Sequence, residues 1–319
     1  MIEYDPHRWT SHLFDIHGSM FRKIFGRVAA CVAWSVVVFL GHRYLTGQEG
    51  WKGASIPPTL HSIIGVALGL LLVFRTNTSY DRFWEGRKLW GGIVNTSRNL
   101  ARAASLHLAR DPALVRSCIL WTATWPHAAR SSLRSGVALG PLAARLPAAE
   151  VSAVLGSGNV PLAVARQISR KLVEGRDAGL VSDVVLVALD RDVHDLMDHI
   201  GGSERIKKTP LPFAYMVHLR RALILYCFTL PFALVADFGW GAIVGTFLVA
   251  YIFFGIEEIG VEIENPFDGD DNDIPLERIC ATIERDLLAL IDAGPVAAEA
   301  GSTEDRTLTS PAIAAGASC

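Results

Sequence analysis

An acidic segment near the carboxyl end of the chain holds the most conspicuous set of oxygen ligands. It runs from Asn265 to Asp273 and reads NPFDGDDND. Carboxylate and carbonyl oxygens are the ligands that calcium prefers, usually about six to eight of them. The segment is not an EF-hand loop, because counting from Asp268 puts aspartate at the sixth position and Ile279 at the twelfth. Two interpretations stay open: a site for calcium or another divalent cation, or an acidic turn in which Asp273 caps the helix that begins at Pro275.

Two other groups of ionisable residues are spaced for a function or for pairing. Asp190, His194 and Asp198 are four residues apart on one helical face, which suits either a metal site or a solvated stripe. Four glutamates follow the last apolar run, and we expect them to pair with cations that follow an earlier run. The glutamates are Glu257, Glu258, Glu262 and Glu264, and the cations are Arg82, Arg87 and Lys88.

Several classes of function are excluded by what the sequence lacks. It has no nucleophile elbow, no P-loop and no H-E-x-x-H motif, so we expect no enzyme. The five cysteines are scattered without CxxC spacing, which argues against a zinc site or a disulfide framework. A net charge of -2 offers no basic surface for nucleic acid.

The composition indicates a membrane protein. Half of the 319 residues are apolar, 19% are charged and the mean hydropathy is +0.31, whereas soluble chains carry about 25% charged residues. A helix needs about 20 mostly apolar residues to span a bilayer. Four stretches meet or approach this length: 25–45, 59–74, 212–236 and 238–256.

The basic residues predict the orientation of these spans. Lysine and arginine cluster before the first span, after the second and before the third, and they are sparse in the opposite loops. Because positive residues stay on the inner side, both termini and the middle of the chain should be cytoplasmic, in the cell membrane. The predicted segments are an N-terminal segment 1–24, a first hairpin 25–75, a helical domain 76–211, a second hairpin 212–260, an acidic turn with a helix 261–292, and a disordered tail 293–319.

The middle of the chain is predicted to be helical. Apolar residues recur at helical spacing in 93–125 and 162–200, on either side of a Gly/Pro/Ala-rich patch at 136–162. Alternating β-branched runs are missing, so we expect an all-α fold with four spans and an inner helical domain. In the second span, Val66, Leu70 and Phe74 stack on one helical face. Spacing alone does not separate a pore lining from a lipid-facing surface.

Three segments together resemble the prokaryotic branch of the bestrophin family. They are VFRTNTSYDRFWEGRKLWGGIVNTSRNLAR from Val73, GGSERIKKTPLPFAY from Gly201 and IENPFDGDDNDIPLERICATIERDL from Ile263. Their order and their places relative to the four spans match the family, and the resemblance covers roughly residues 10 to 290.

The resemblance implies a homopentamer around one central pore, embedded in the lipid bilayer. Matching the motifs makes Val66, Leu70 and Phe74 the apolar neck, and it places a second, cytosolic aperture at Val184, with Val185 as the alternative register. The calcium clasp of animal relatives maps here onto Asn265, Asp270 and Asp273.

The function implied is passive conduction of small monovalent ions, with chloride expected from the family. A cation-selective channel of the same architecture stays open, since no neck or aperture residue is charged. A different class, a membrane-anchored scaffold or sensor, is the further alternative. No cofactor is expected apart from a divalent cation at the acidic turn.

Overall fold

The structure is a computed structural model that describes residue 7 and residues 20–46 and 56–293. Within these ranges the chain forms nine α-helices, one 3-10 helix and no strand, which confirms the all-α prediction. The α-helices, α1 to α9 in chain order, are Phe21–Thr46, Pro58–His107, Pro112–Leu133, Ala148–Leu155, Val160–Asp177, Asp183–Lys208, Phe213–Phe238, Gly241–Glu262 and Leu276–Asp292, and the 3-10 helix is Pro141–Arg145. Most of the predicted N-terminal segment and nearly all of the predicted disordered tail lie outside the described residues.

Four of the described helices are long and apolar enough to cross a membrane, namely α1, α2, α7 and α8. They coincide with the four predicted spans. Their buried side chains form one apolar cluster, to which Val28, Leu72, Leu223 and Phe254 each contribute from a different helix. Much of their remaining surface is apolar and exposed, as lipid-facing helices require.

The second span is part of a much longer helix. α2 holds 50 residues, and at 1.5 Å per residue it is about 75 Å long, more than twice the hydrocarbon thickness. Pro57 is its N-cap and Pro58 lies in its first turn, where a proline gives up no helical hydrogen bond. The predicted limit between span and inner domain, at residues 75 and 76, lies inside this helix. One rigid element therefore connects the spans to the inner helices.

The inner helices pack around a second apolar cluster. Its largest fully buried side chains are Trp90 of α2 and Trp121 and Trp125 of α3. The helices α5, α6 and α9 complete it. A local cap fixes the start of α3, where Asp111 accepts a hydrogen bond from the Leu114 N–H at 3.0 Å. Helices that are distant in sequence then bury their apolar faces against one another.

Candidate functional site

Val66, Leu70 and Phe74 form an exposed apolar ridge on α2, which we call the α2 ridge. Their side chains are 67%, 56% and 64% exposed. The opposite side of the same helix is buried at Leu68 and Leu72. Several copies of the ridge around one axis would make stacked apolar rings, and a narrow ring of this kind gates ions by dewetting.

Val184 lies far from the α2 ridge in the chain, in the first turn of α6. Ser182 is the N-cap of this helix, and its hydroxyl accepts a hydrogen bond from the Val185 N–H at 3.4 Å. Val184 is 80% exposed, whereas Val185 is partly buried and packs against the inner core. Of the two residues considered for the aperture, Val184 has an exposed side chain and Val185 has a packed one.

The acidic turn is closed by its own hydrogen bonds. Asp273 Oδ2 accepts from the N–H groups of Gly269 at 2.6 Å and Asp270 at 2.8 Å. Burial raises the pKa of the Asp273 carboxyl, and these two donors oppose the rise. The prediction that Asp273 caps the following helix is wrong, because the N-cap of α9 is Pro275 and no side chain bonds there. Asp273 stabilises the turn before the helix instead.

The predicted metal ligands of this turn point to different partners. Asn265 Nδ2 donates to Asp268 Oδ2 at 2.5 Å, while Asn265 Oδ1 is buried without a hydrogen-bond partner. In the part of the chain that the structure describes, no three His, Cys, Asp or Glu side chains form a group that could hold a metal ion. The carboxylate of Asp273 is already occupied by backbone donors.

A buried ion-pair cluster joins the four spanning helices. Its centre is Glu257, whose Oε1 is 3.0 Å from Arg75 Nη1 and 3.0 Å from Arg220 Nε. Arg27 Nη1 lies 3.3 Å from Glu257 Oε2 and 2.9 Å from Glu258 Oε2. The Arg75 side chain is fully buried. Residues of α1, α2, α7 and α8 thus meet at one charged centre.

The prediction that the four glutamates pair with cations is right in kind and wrong in its partners. Glu262 pairs with Lys23, and Glu264 Oε2 lies 3.5 Å from Arg75 Nη2. Arg82 instead donates to backbone carbonyls of Ile206, Thr209 and Glu264. Arg75 was missed, although a signal existed: it continues the register of Leu68 and Leu72, the buried side of α2.

The whole-chain comparison decides the family. The profile of the bacterial and fungal bestrophin proteins matches residues 1–289. This chain belongs to the bestrophin family. It is a membrane protein of an ion-channel family, with helices able to span a bilayer.

Other bestrophins of known sequence carry channel names. This bestrophin is 40% identical, over 91% of its length and 94% of the relative, to a voltage-dependent anion channel-forming protein of Synechocystis. It is 33% identical to the voltage-dependent anion channel-forming protein YneE of Escherichia coli K12, over 94% of this chain and 97% of the relative.

A solved structure shares the fold. The crystal structure of a bacterial bestrophin homolog from Klebsiella pneumoniae matches with a TM-score of 0.77 at 29% identity. The match covers 84% of this chain and 98% of the other. The four spans and the inner helical domain are therefore the architecture of this family.

The spaced charges on α6 are used within the fold of this bestrophin. Asp190 Oδ1 accepts a hydrogen bond from Ser169 at 2.5 Å, and His194 Nε2 lies 3.5 Å from Asp198 Oδ2 one helical turn away. Asp190 bonds to α5, and His194 and Asp198 pair with each other, so the three residues form an exposed, paired stripe on α6 and do not converge on one metal ion.

Proposed function

We propose that this bestrophin is a homopentameric channel of the cell membrane that conducts small monovalent anions, chloride among them, passively along its central axis. Five copies of α2 surround the axis, with Val66, Leu70 and Phe74 as the neck. Val184 forms a second ring at the inner end. Both termini and the helical domain of residues 76–211 lie in the cytoplasm.

The α2 ridge is the single observation that carries this proposal. It exposes three apolar side chains at one register on a helix whose other side is packed. A membrane anchor has no need of that register, whereas a ring of apolar side chains is a known way to build a gate. The clusters of lysine and arginine before the first predicted span, after the second and before the third support the orientation.

The names of the relatives support anions as the conducted species. No charged side chain belongs to the ridge, so the neck itself favours neither sign. Passive conduction also requires no catalytic group, in keeping with the absence of enzyme motifs from the sequence.

Currents through the purified protein in planar bilayers test this function. In asymmetric KCl, an anion channel reverses near the chloride equilibrium potential, and a cation-selective channel of the same architecture reverses near that of potassium. Phe74→Ala should raise the conductance because the smaller side chain widens the apolar ring. Ile64→Ala, a change of an exposed residue on another side of α2, should leave it unchanged. A protein that passes no current under any gradient would be an anchored scaffold or sensor.

The number of subunits is tested separately by the native mass of the detergent-solubilised protein. Five chains of 34.6 kDa each are expected. A monomer or a dimer would contradict the pore, since one or two copies of α2 cannot enclose an axis.

A further inference from the structure

The exposed side of α2 continues below the α2 ridge with the same register. Four residues follow Phe74 at intervals of seven, and all are exposed: Asp81, Lys88, Asn95 and Arg102. A step of seven residues turns an α-helix by only about 20° and rises about 10.5 Å. These side chains therefore extend the line of Phe74 toward the inner domain.

The buried side of α2 runs parallel to this line. Leu72, Ser79, Gly86, Ile93 and Leu100 are also seven residues apart, and all are buried. The helix therefore keeps this side packed from residue 72 to residue 100, and the line from Phe74 stays opposite it, because both lines drift together by about 20° per seven residues. If Phe74 faces the pore, Asp81 and Lys88 face the same space below it.

Charges around this line are largely cancelled by partners. Glu85 Oε1 lies 2.6 Å from Arg205 Nη2, and Arg98 pairs with Asp286. Arg102 stands close enough to Asp192 to oppose the rise that burial causes in the pKa of that carboxyl.

Asp81 and Lys88 differ from these paired residues. Within the described residues neither makes an ion pair or a side-chain hydrogen bond. Each would appear once per subunit, as a ring of one sign. A cleft that is lined by charges of one sign changes the local concentration of ions by a factor of about ten or more.

We infer that Lys88 is a specificity-determining residue of this channel, which raises the anion preference below the neck, and that Asp81 opposes it one ring above. The inference rests on the proposed function and deepens it, since the apolar neck carries no charge. Anions then gather at Lys88 before they enter or after they leave the neck.

Charge reversal tests this assignment through the reversal potential in asymmetric NaCl. Lys88→Glu should lower the ratio of chloride to sodium permeability at least about threefold, in line with the effect of charge on local ion concentration. Asp81→Asn should raise the ratio. Arg87→Glu is the matched control: it makes the same change of charge at the neighbouring exposed residue, which points about 100° away. An equal shift in Arg87→Glu would overturn the assignment.

A chemical version of the test works within one folded variant. Lys88→Cys should lose part of the anion preference, regain it with a cationic methanethiosulfonate and lose more with an anionic one, while the unsubstituted protein shows the background of its own cysteines. Currents that persist with reversal potentials unchanged by these substitutions and reagents would overturn the role of Lys88 and leave the proposed function standing. A wild-type protein without current would overturn both.

Discussion

Glu257 is the residue at which charged side chains of the four spanning helices meet. It pairs with Arg75, Arg220 and Arg27, and the Arg75 side chain has no exposure to water of its own. A buried charge without its partner costs about 3–5 kcal/mol, whereas a pair with an exposed member contributes about 1 kcal/mol or less. The stability of the bundle should therefore depend on Glu257 more than on its neighbour Glu258.

The first prediction compares two adjacent substitutions. Glu257→Gln leaves Arg75 with the backbone carbonyl of residue 257 at 3.2 Å and the carboxylate of Glu264 at 3.5 Å. The loss of the closest carboxylate should cost about 3 kcal/mol, which lowers the thermal midpoint in detergent by about 10 °C. Glu258→Gln removes a pair with the half-exposed Arg27 and should lower it by much less. Equal midpoints for the two variants would contradict the buried ion-pair cluster.

His127 is a second residue whose role can be measured, because it should make the stability of the fold depend on pH. Burial lowers the pKa of His127, and Arg130 lowers it further, against the charge of Glu284. The neutral ring donates from Nε2 to Glu284 Oε2, 3.1 Å away, and Nδ1 is buried without a partner. Protonation would place a proton on Nδ1 where nothing accepts it. A folded-state pKa below the unfolded one contributes stability above about pH 6.5 that is lost as the pH falls through the folded value.

The second prediction follows from that sign. The thermal midpoint of the wild type should fall between pH 7.5 and pH 5, and it should fall less in His127→Gln, which cannot take up the proton. His107→Gln, at an exposed histidine of α2, should keep the wild-type slope. If His127→Gln and the wild type had the same slope, the buried histidine would not be the cause.

At the scale of the element, α2 is held in place by a close approach to the acidic turn. A Cβ on Gly86 would lie 3.0 Å from Phe267 Cζ and 3.1 Å from Pro266 Cγ. Phe267 is fully buried, and Pro266 has little freedom to move away. Glycine at this point lets the turn and the helix touch.

The third prediction uses two glycines of the same helix. Gly86→Ala should lower stability by about 1–3 kcal/mol because the added methyl overpacks the contact. Gly91→Ala meets only the far end of Arg87 at 3.9 Å and should be neutral or stabilising by about 0.5–1 kcal/mol, since alanine is the better helix former. Thermal midpoints in detergent check both, and a loss of stability in Gly91→Ala alone would contradict the packing described.

The sequence predicts that these segments are helical better than it predicts the first and last residue of each helix. The helical spacing over 93–125 joins two helices, α2 and α3, that the structure separates at Asp111 and Pro112. An aspartate N-cap followed by proline marks the start of a helix, and the spacing of apolar residues does not reveal it. In the same way, 162–200 spans the end of α5 and the start of α6, whose N-cap is Ser182.

The partners within the site could be predicted only in part. The ridge register of Val66, Leu70 and Phe74 is local, so it can be read from spacing. The partners of Glu257 come from three other helices, and the fold of Asp273 back onto Gly269 depends on the geometry of the turn. Contacts of this kind are fixed by tertiary packing, which neither charge pattern nor capping rules contain.

At the scale of the whole molecule, the exposed apolar side of α2 is the feature that a single chain leaves unexplained. The ridge stands opposite the packed side of a helix about 75 Å long, and the line below it carries unpaired charge. Both features are accounted for when several copies of α2 surround a water-filled axis. An anchored monomer would instead present the ridge to lipid.

Block of the current by Cd²⁺ in a Leu70→Cys variant distinguishes these arrangements. Thiolates are soft ligands for such metals, and a ring of them around a narrow axis should bind Cd²⁺ and stop conduction, reversibly with a chelator. Ile64→Cys, exposed but about 120° away on the helix, and the unsubstituted protein with its five cysteines should be insensitive. Block in Leu70→Cys alone is the predicted result, and insensitivity of Leu70→Cys, or block in Ile64→Cys instead, would contradict a pore lined by the α2 ridge.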